Sequence, residues 1–138
     1  MFNIPALAHV KEVLHTAKTI AVVGFSPKEN RPSYMVGCYL MQAGFRVIPV
    51  NPGHSMICGV ICYPDLVSIS EPVDVVNIFR RSEDVLPVVV EAIAIGAKVI
   101  WMQQGIINLE ALALAEKAGL VVIMDRCIKV DHMQFGSA

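Results

Sequence analysis

Two cationic side chains lie in a segment whose ends favour phosphate binding. Lys28 and Arg31 follow a short β-rich run that stops at Gly24, and Pro32-Ser33 then has the composition of a helix start. A strand, a glycine and a helix N-terminus in succession point backbone N–H groups and the positive end of the helix dipole at one place. The sequence therefore predicts a phosphate-binding loop over residues 24–33.

This loop departs from two common nucleotide-binding patterns. An NAD-binding turn has the pattern G-x-G-x-x-G and a carboxylate at the end of the second strand, whereas here Ser26 replaces the second glycine and Asn51 follows the second strand. A Walker A loop is absent as well. Arg80 and Arg81 follow the third predicted strand, so up to four cations could surround one ligand. A ligand with several phosphates and no need for a carboxylate at its ribose would suit this arrangement. Coenzyme A, with a pyrophosphate and a 3′-phosphate, is such a ligand.

Hydrophobic periodicity places these loops in an α/β domain. Apolar residues at helical spacing predict an N-terminal helix over 4–17, and helices then alternate with five β-rich runs and no hairpin signal. The predicted strands are Ile20–Val23, Phe45–Val50, Val73–Ile78, Lys98–Met102 and Leu120–Met124. This alternation predicts an α/β fold: a Rossmann-like doubly wound sheet of about five parallel strands with helices on both faces. The loops after the first four strands should then meet at one edge of the sheet.

The remaining boundaries follow from polar and capping residues. Residues 1–138 are expected to form a single domain, and Ser82 is predicted to cap the third helix. The segment from Asp125 onward is predicted to be a polar tail, with His132 at the surface and with residues 133–138 mobile.

Composition excludes several classes of partner. The formal charge of −1 gives no reason to expect nucleic-acid or membrane binding. No apolar run reaches the ~18–20 residues that span a bilayer, and residues 1–18 lack the apolar core of a signal peptide. We therefore expect a cytoplasmic protein.

The four cysteines suggest free thiols rather than a metal site. Cys58 and Cys62 lack a second Cys/His pair at zinc spacing, so no metal site is predicted. Cys127 lies beside Arg126, which would lower the pKa of its thiol if the two were close. Since no His or Asp is placed to activate Cys127, a structural thiol is favoured and no catalytic residue is predicted.

Five motifs follow the strands in order: Gly24–Tyr34, Val47–Pro52, Phe79–Ser82, Trp101–Gly105 and Met124–Cys127. Together they resemble the small stand-alone CoA-binding domain proteins, which are similar to the N-terminal CoA-binding domain of the succinyl-CoA synthetase α subunit. The resemblance covers residues 5–132. It implies that the first loop holds the CoA phosphates, that His54 stands where the family commonly has a basic contact, and that Phe79 packs near adenine or pantetheine. The segment 102–105 would form the far wall.

Together, these arguments predict a protein that binds coenzyme A or an acyl-CoA without catalysis of its own. The residues predicted to bind it are Gly24, Phe25, Ser26, Pro27, Lys28, Arg31, Pro32, Ser33, Asn51, Pro52, His54, Phe79, Arg80, Arg81, Met102, Gln103, Gln104 and Gly105. Two alternatives stay open: an enzyme acting on a CoA thioester with Cys127 as nucleophile, and an NAD-responsive regulatory domain. A homo-oligomer through the N-terminal helix also stays open.

Overall fold

Helices and strands alternate along the computed structural model of the protein, which describes residues 3–136. In chain order the elements are α1 (Asn3–Thr16), β1 (Thr19–Val23), α2 (Pro32–Gln42), β2 (Arg46–Val50), β3 (Met56–Ile57), β4 (Val60–Ile61), β5 (Val75–Ile78), α3 (Val85–Ala94), β6 (Val99–Met102), α4 (Leu109–Lys117), β7 (Val121–Ile123) and α5 (Ile128–Phe135).

The central sheet has the strand order β2-β1-β5-β6-β7, and all of its strands are parallel. β1 pairs with β2 on one side and with β5 on the other, so the direction of winding reverses between β1 and β5. Every residue of β5 and β6 is buried, because helices cover both faces of the sheet. The predicted Rossmann-like sheet of five parallel strands is confirmed.

The helices form two layers, one on each face of the sheet, and each layer packs on the sheet through its own apolar cluster. Val10, Leu40 and Ile128 bring α1, α2 and α5 onto one face of the sheet. Val89 and Ala115 bring α3 and α4 onto the other. The helices of residues 3–136 run to 14 residues at most, short of what a bilayer-crossing helix needs.

A short antiparallel hairpin, β3–β4, interrupts the connection between β2 and β5, so the prediction that the chain has no hairpin is wrong. Cys58 and Gly59 form its two-residue turn with φ of +57° and +78°. Positive φ at both central residues is the geometry that matches the twist of hairpin strands. Each arm has two residues, too few for alternating hydrophobicity to reveal a strand.

The start of α3 also differs from its prediction. Residues 82–84 form a single 3₁₀ turn and the α-helix begins at Val85, which leaves Pro87 in the first turn, where proline is tolerated. The capping role predicted for Ser82 is wrong. Its hydroxyl instead accepts a hydrogen bond from the Ile107 N–H at 3.0 Å.

Where the sequence predicts a polar tail, the chain forms α5. Ile128 is fully buried, and Asp131 accepts hydrogen bonds from the Arg126 guanidinium at 2.7 and 3.0 Å. His132 is half-buried, with its Nδ1 2.7 Å from the Tyr39 hydroxyl, so its expected surface position is wrong. The mobility of residues 133–138 stays a prediction, and residues 137 and 138 lie outside the described part.

We expect Asn108→Ala to lower the free energy of unfolding by about 1–2 kcal/mol. The Asn108 side chain caps α4 by accepting from the Ala111 N–H at 2.9 Å, and it donates to the Ser82 carbonyl at 2.8 Å. Urea denaturation would measure the loss. Gln104→Ala, at an exposed position nearby, is the control, and equal stability of the two variants would contradict the capping role.

Candidate functional site

A close approach of two backbones forms the floor of the site. The Gly24 N–H donates to the Val50 carbonyl at 2.8 Å, and Gly24 has a φ of +87°. A Cβ atom at this position would overlap the Phe79 carbonyl oxygen and lie 2.6 Å from Nη1 of Arg80. Only glycine fits both the conformation and the space. The exits of β1 and β5 therefore meet here, and Arg80 lies against the turn.

Hydrogen bonds between its own residues shape the loop after Gly24. The buried Ser33 hydroxyl accepts from the Ser26 N–H at 2.9 Å, and the Ser26 hydroxyl accepts from the Lys28 N–H at 3.1 Å. The Arg31 N–H then donates to the Lys28 carbonyl at 3.1 Å. These contacts fold the loop back onto the start of α2, so the two form one surface.

The N-terminus of α2 opens onto this surface. Arg31 is the capping residue, with extended backbone, and its side chain makes no capping hydrogen bond. Pro32 follows in the first turn, as the sequence predicts. Pro32 has no N–H, and the Tyr34 N–H donates to the Arg31 carbonyl at 3.1 Å, so this helix start offers an anion mainly the positive end of its dipole.

A cleft of about 290 Å³ lies between these elements. Its lining consists of Gly24, Ser26, Arg31, Pro32, Ser33 and Phe79. All six residues belong to the predicted set, and their contact with a ligand stays a prediction. The cleft lies at the carboxyl ends of β1 and β5, where the strand order reverses and where ligands bind in sheets of this class.

The predicted cations do not share one environment. Arg31 lines the cleft, and Arg80 is half-buried beside Gly24. Lys28 is exposed on the loop outside the lining, as is its neighbour Pro27.

Arg81, next to Arg80 in sequence, faces acidic residues of its own turn. Its Nε donates to the Asp84 carboxylate at 3.0 Å, and its Nη1 lies 3.7 Å from Glu83, while its side chain is 75% exposed. The Asp84 carboxylate, with a smaller contribution from Glu83, holds the pKa of Arg81 above its usual value. This cation is therefore paired with acidic side chains of its own turn.

At the exit of β2, the Asn51 side chain binds the backbone of the loop that follows β1. The Asn51 amide donates to the Phe25 carbonyl at 2.9 Å and so ties the two loops together. Pro52 and His54 are exposed and do not line the cleft.

Residues at the exit of β6 contact other partners. Met102 is fully buried, and the buried Gln103 amide donates to Oδ1 of Asn77 at 2.6 Å. The Gly105 N–H donates to the Asp125 carboxylate at 2.7 Å, and Gln104 is exposed. The structure thus brings together the exits of β1, β2 and β5, and none of residues 102–105 lines the cleft.

Phe25 supports the loop from below. Its ring is fully buried, meets Tyr34 edge-on at a centroid distance of 6.1 Å, and packs against Gly37 of α2. Sequence reasoning did not single out Gly37, because a glycine inside a helix carries no signal of what it touches.

Cys127 occupies the N-cap position of α5 and is half-buried, and its side chain makes no capping hydrogen bond. Within residues 3–136, no three His, Cys, Asp or Glu side chains cluster as metal ligands would.

Two other cysteines form a contact that the sequence does not reveal. Sγ of Cys38 on α2 lies 2.8 Å from Sγ of Cys58 in the hairpin turn. In the sequence, the glycine at position 59 is the one local feature that could have indicated a two-residue hairpin turn.

Comparisons with known proteins point to one family. A family model described as a CoA binding domain matches residues 18–133. YneT of Bacillus subtilis strain 168, described as uncharacterized, is 44% identical over 128 residues, which are 93% of this chain and 95% of that protein. The solved structure of a hypothetical protein from Pyrococcus horikoshii OT3 is 36% identical with a TM-score of 0.91, and the match covers 94% of this chain and 91% of that one.

A longer relative carries an enzymatic name. Acetate–CoA ligase (ADP-forming) I of Archaeoglobus fulgidus is 28% identical over 127 residues. The match covers 85% of this chain and 18% of the ligase, so this chain spans less than a fifth of that enzyme.

We expect Gly37→Ala to destabilise the protein by about 1–3 kcal/mol, although alanine is the better helix former. The added Cβ would overlap the Phe25 ring atoms Cε2 and Cζ. Thermal unfolding would measure the effect, and the double variant Gly37→Ala/Phe25→Leu should recover part of the loss. A melting temperature equal to or above that of the wild type would contradict the packing argument.

Proposed function

Because the chain belongs to the CoA binding domain family, we propose that it binds coenzyme A or an acyl-CoA with phosphates in the cleft beside Gly24. The family match supports CoA as the ligand class. The choice of this cleft as the phosphate site is our inference from charge and geometry.

One observation carries the proposal: Nη1 of Arg80 lies against the Gly24 turn, and Gly24 lines the cleft together with the first turn of α2. A guanidinium presents several N–H donors in a planar fork that matches phosphate oxygens. The helix N-terminus adds a favourable dipole. Arg80 follows β5 and Arg31 precedes α2, so we propose that a phosphate in the cleft would attract cations from two different elements.

Each remaining lining residue has a role that follows from its position. Arg31 supplies a second cation at the helix start, and the Ser26 and Ser33 hydroxyls hold the loop in its folded shape by accepting hydrogen bonds from loop N–H groups. Phe79 offers the apolar surface on which the adenine or the pantetheine chain would pack. Lys28, outside the lining, would act on the ligand through its longer-range charge.

We propose that binding occurs without catalysis by this chain. The ligase name belongs to relatives of which this chain spans less than a fifth. Cys127, the candidate nucleophile, caps the start of α5 through its backbone, whose carbonyl accepts from the Asp131 N–H at 3.0 Å. No observation on the described residues favours thioester chemistry at its sulfur.

Calorimetric titration of the wild-type protein with CoA, dephospho-CoA, NAD and ATP tests the ligand class. We expect CoA to bind most tightly and dephospho-CoA more weakly, because the 3′-phosphate adds a charged contact. Tighter binding of NAD would favour the regulatory-domain alternative instead. Hydrolysis of acetyl-CoA by the wild type that Cys127→Ala abolishes would contradict binding without catalysis.

Arg80→Ala should weaken CoA binding roughly 10- to 100-fold, the loss typical of one charged hydrogen bond. Arg81→Ala is the matched control, because it removes the same charge one residue away, from a side chain held by Asp84. We expect that control to change the dissociation constant by about twofold at most. Equal losses in the two variants would mean that net charge, not the position of Arg80, governs binding.

Salt should weaken the complex. Charges at this partly exposed cleft are screened over about 10 Å at 0.1 M salt. We therefore expect the dissociation constant for CoA to rise severalfold between low salt and ~0.5 M sodium chloride. In Arg80→Ala the dependence should be shallower, and an affinity insensitive to salt would contradict phosphate recognition by these arginines.

A further inference from the structure

Two thiols and a phenol meet on the side of α2. Cys38 of α2 and Cys58 of the β3–β4 turn have their Sγ atoms 2.8 Å apart, although 20 positions separate them in sequence. The Tyr34 hydroxyl, one turn before Cys38 on α2, lies beside both, and hydrogen bonding to the two thiols raises its pKa. Tyr34 and Cys38 also pack against the core, whereas Cys58 is exposed, and none of the three lines the cleft.

We propose that Cys38 and Cys58 form a reversible dithiol–disulfide site that reacts with low-molecular-weight disulfides. Two sulfur atoms at 2.8 Å are within reach of a disulfide bond, whose S–S length is about 2.05 Å. Because no bound nucleotide takes part, this site is a function beyond the CoA binding proposed above.

The different exposure of the two thiols assigns their roles. Cys58 is exposed at the tip of the hairpin, whereas Cys38 is half-buried behind it. Redox-active pairs commonly combine an accessible thiol with a second, resolving thiol beside it. Cys58 is therefore the attacking thiol and Cys38 the resolving one.

The backbone at Cys58 supports a role for its sulfur. Its φ of +57° lies in the left-handed region, which hairpin turns usually fill with Asn, Asp or Gly. A cysteine there is less favourable than those residues for the turn itself. Unfavourable backbone positions of this kind cluster at functional sites.

The exchange balances in two steps. The Cys58 thiolate attacks one sulfur of the small disulfide R–S–S–R, which forms the Cys58–S–S–R mixed disulfide and releases RS⁻. The Cys38 thiolate then attacks Sγ of Cys58, which forms the Cys38–Cys58 bond and releases the second RS⁻. The protein loses two electrons and two protons, and the small disulfide becomes two thiols.

The environment of Cys38 disfavours it as the first thiol to react. Burial raises the pKa of Cys38 to about 11, and the neighbouring Cys58 thiol adds to that rise while the Tyr34 hydroxyl opposes it. In the reduced protein Cys38 is therefore protonated at neutral pH, and Cys58 reacts first. Once Cys58 carries the mixed disulfide, its thiol no longer raises the pKa of Cys38, while burial, the larger cause, still does.

Oxidation would link α2 to the segment after β2. The bond would close a 20-position loop containing Asn51, Pro52 and His54, between the helix that lines the phosphate cleft and the hairpin. Constraining a loop of this size raises stability, so the oxidised protein should melt on the order of 10 °C higher than the reduced one.

Treatment of the reduced wild-type protein with oxidised glutathione tests the proposal. We expect a mass loss of about 2 Da, a peptide containing the Cys38–Cys58 bond in a non-reducing digest, and two thiols open to alkylation after unfolding. Dithiothreitol should restore all four thiols. An internal bond that involves Cys62 or Cys127, or no internal bond at all, would overturn the proposal.

Three serine variants separate the roles of the thiols. Cys38→Ser should accumulate a stable glutathione adduct on Cys58, because the resolving thiol is missing, whereas Cys58→Ser should leave Cys38 unmodified on the same timescale. Cys127→Ser, the control, should form the internal disulfide as the wild type does. Faster adduct formation on Cys38 than on Cys58 would overturn the assignment. The wild-type mass and the non-reducing digest test the internal disulfide even if the variants do not fold.

Discussion

The close approach of the Gly24 backbone to the Phe79 carbonyl determines the geometry of the carboxyl edge of the sheet. Gly24 is hydrogen-bonded to Val50 of β2, and the Phe79 N–H donates to the Val23 carbonyl at 2.8 Å. The ends of three neighbouring strands are therefore held together at this one glycine. A side chain here would push β5 away from β1 and remove Arg80 from the turn. The cleft exists because the two backbones touch.

Helix α2 links the cleft to the rest of the molecule. Its first turn forms one wall, Gly37 receives the Phe25 ring, and Cys38 faces the hairpin. These three features lie within two turns of a helix whose remaining face packs on the sheet through Val36 and Leu40. The hairpin contact and the cleft therefore share a single helix.

Polar contacts also stabilise the segment that follows β7. The Trp101 indole N–H donates to the Arg126 carbonyl at 2.8 Å, and Arg126 in turn pairs with the buried Asp131. A buried charge is stable only when it is paired, so Arg126 and Asp131 support each other. The contact between His132 and Tyr39 then anchors α5 to α2. This arrangement explains why a polar segment forms a helix: its polar groups are satisfied by the core.

The sequence by itself determined the sheet and its first loop, because buried parallel strands are continuous apolar runs and because glycine and proline mark the turns between them. Gly24, Ser26, Arg31, Ser33 and Phe79 were predicted from such local signals, and the structure brings them together. Only the tertiary structure decided the different contacts of two adjacent arginines, since Arg81 meets Asp84 and Arg80 lies against Gly24. It alone also decided that Cys38 meets Cys58. Contacts between residues distant in the chain depend on how its elements pack, and local periodicity contains no record of that packing.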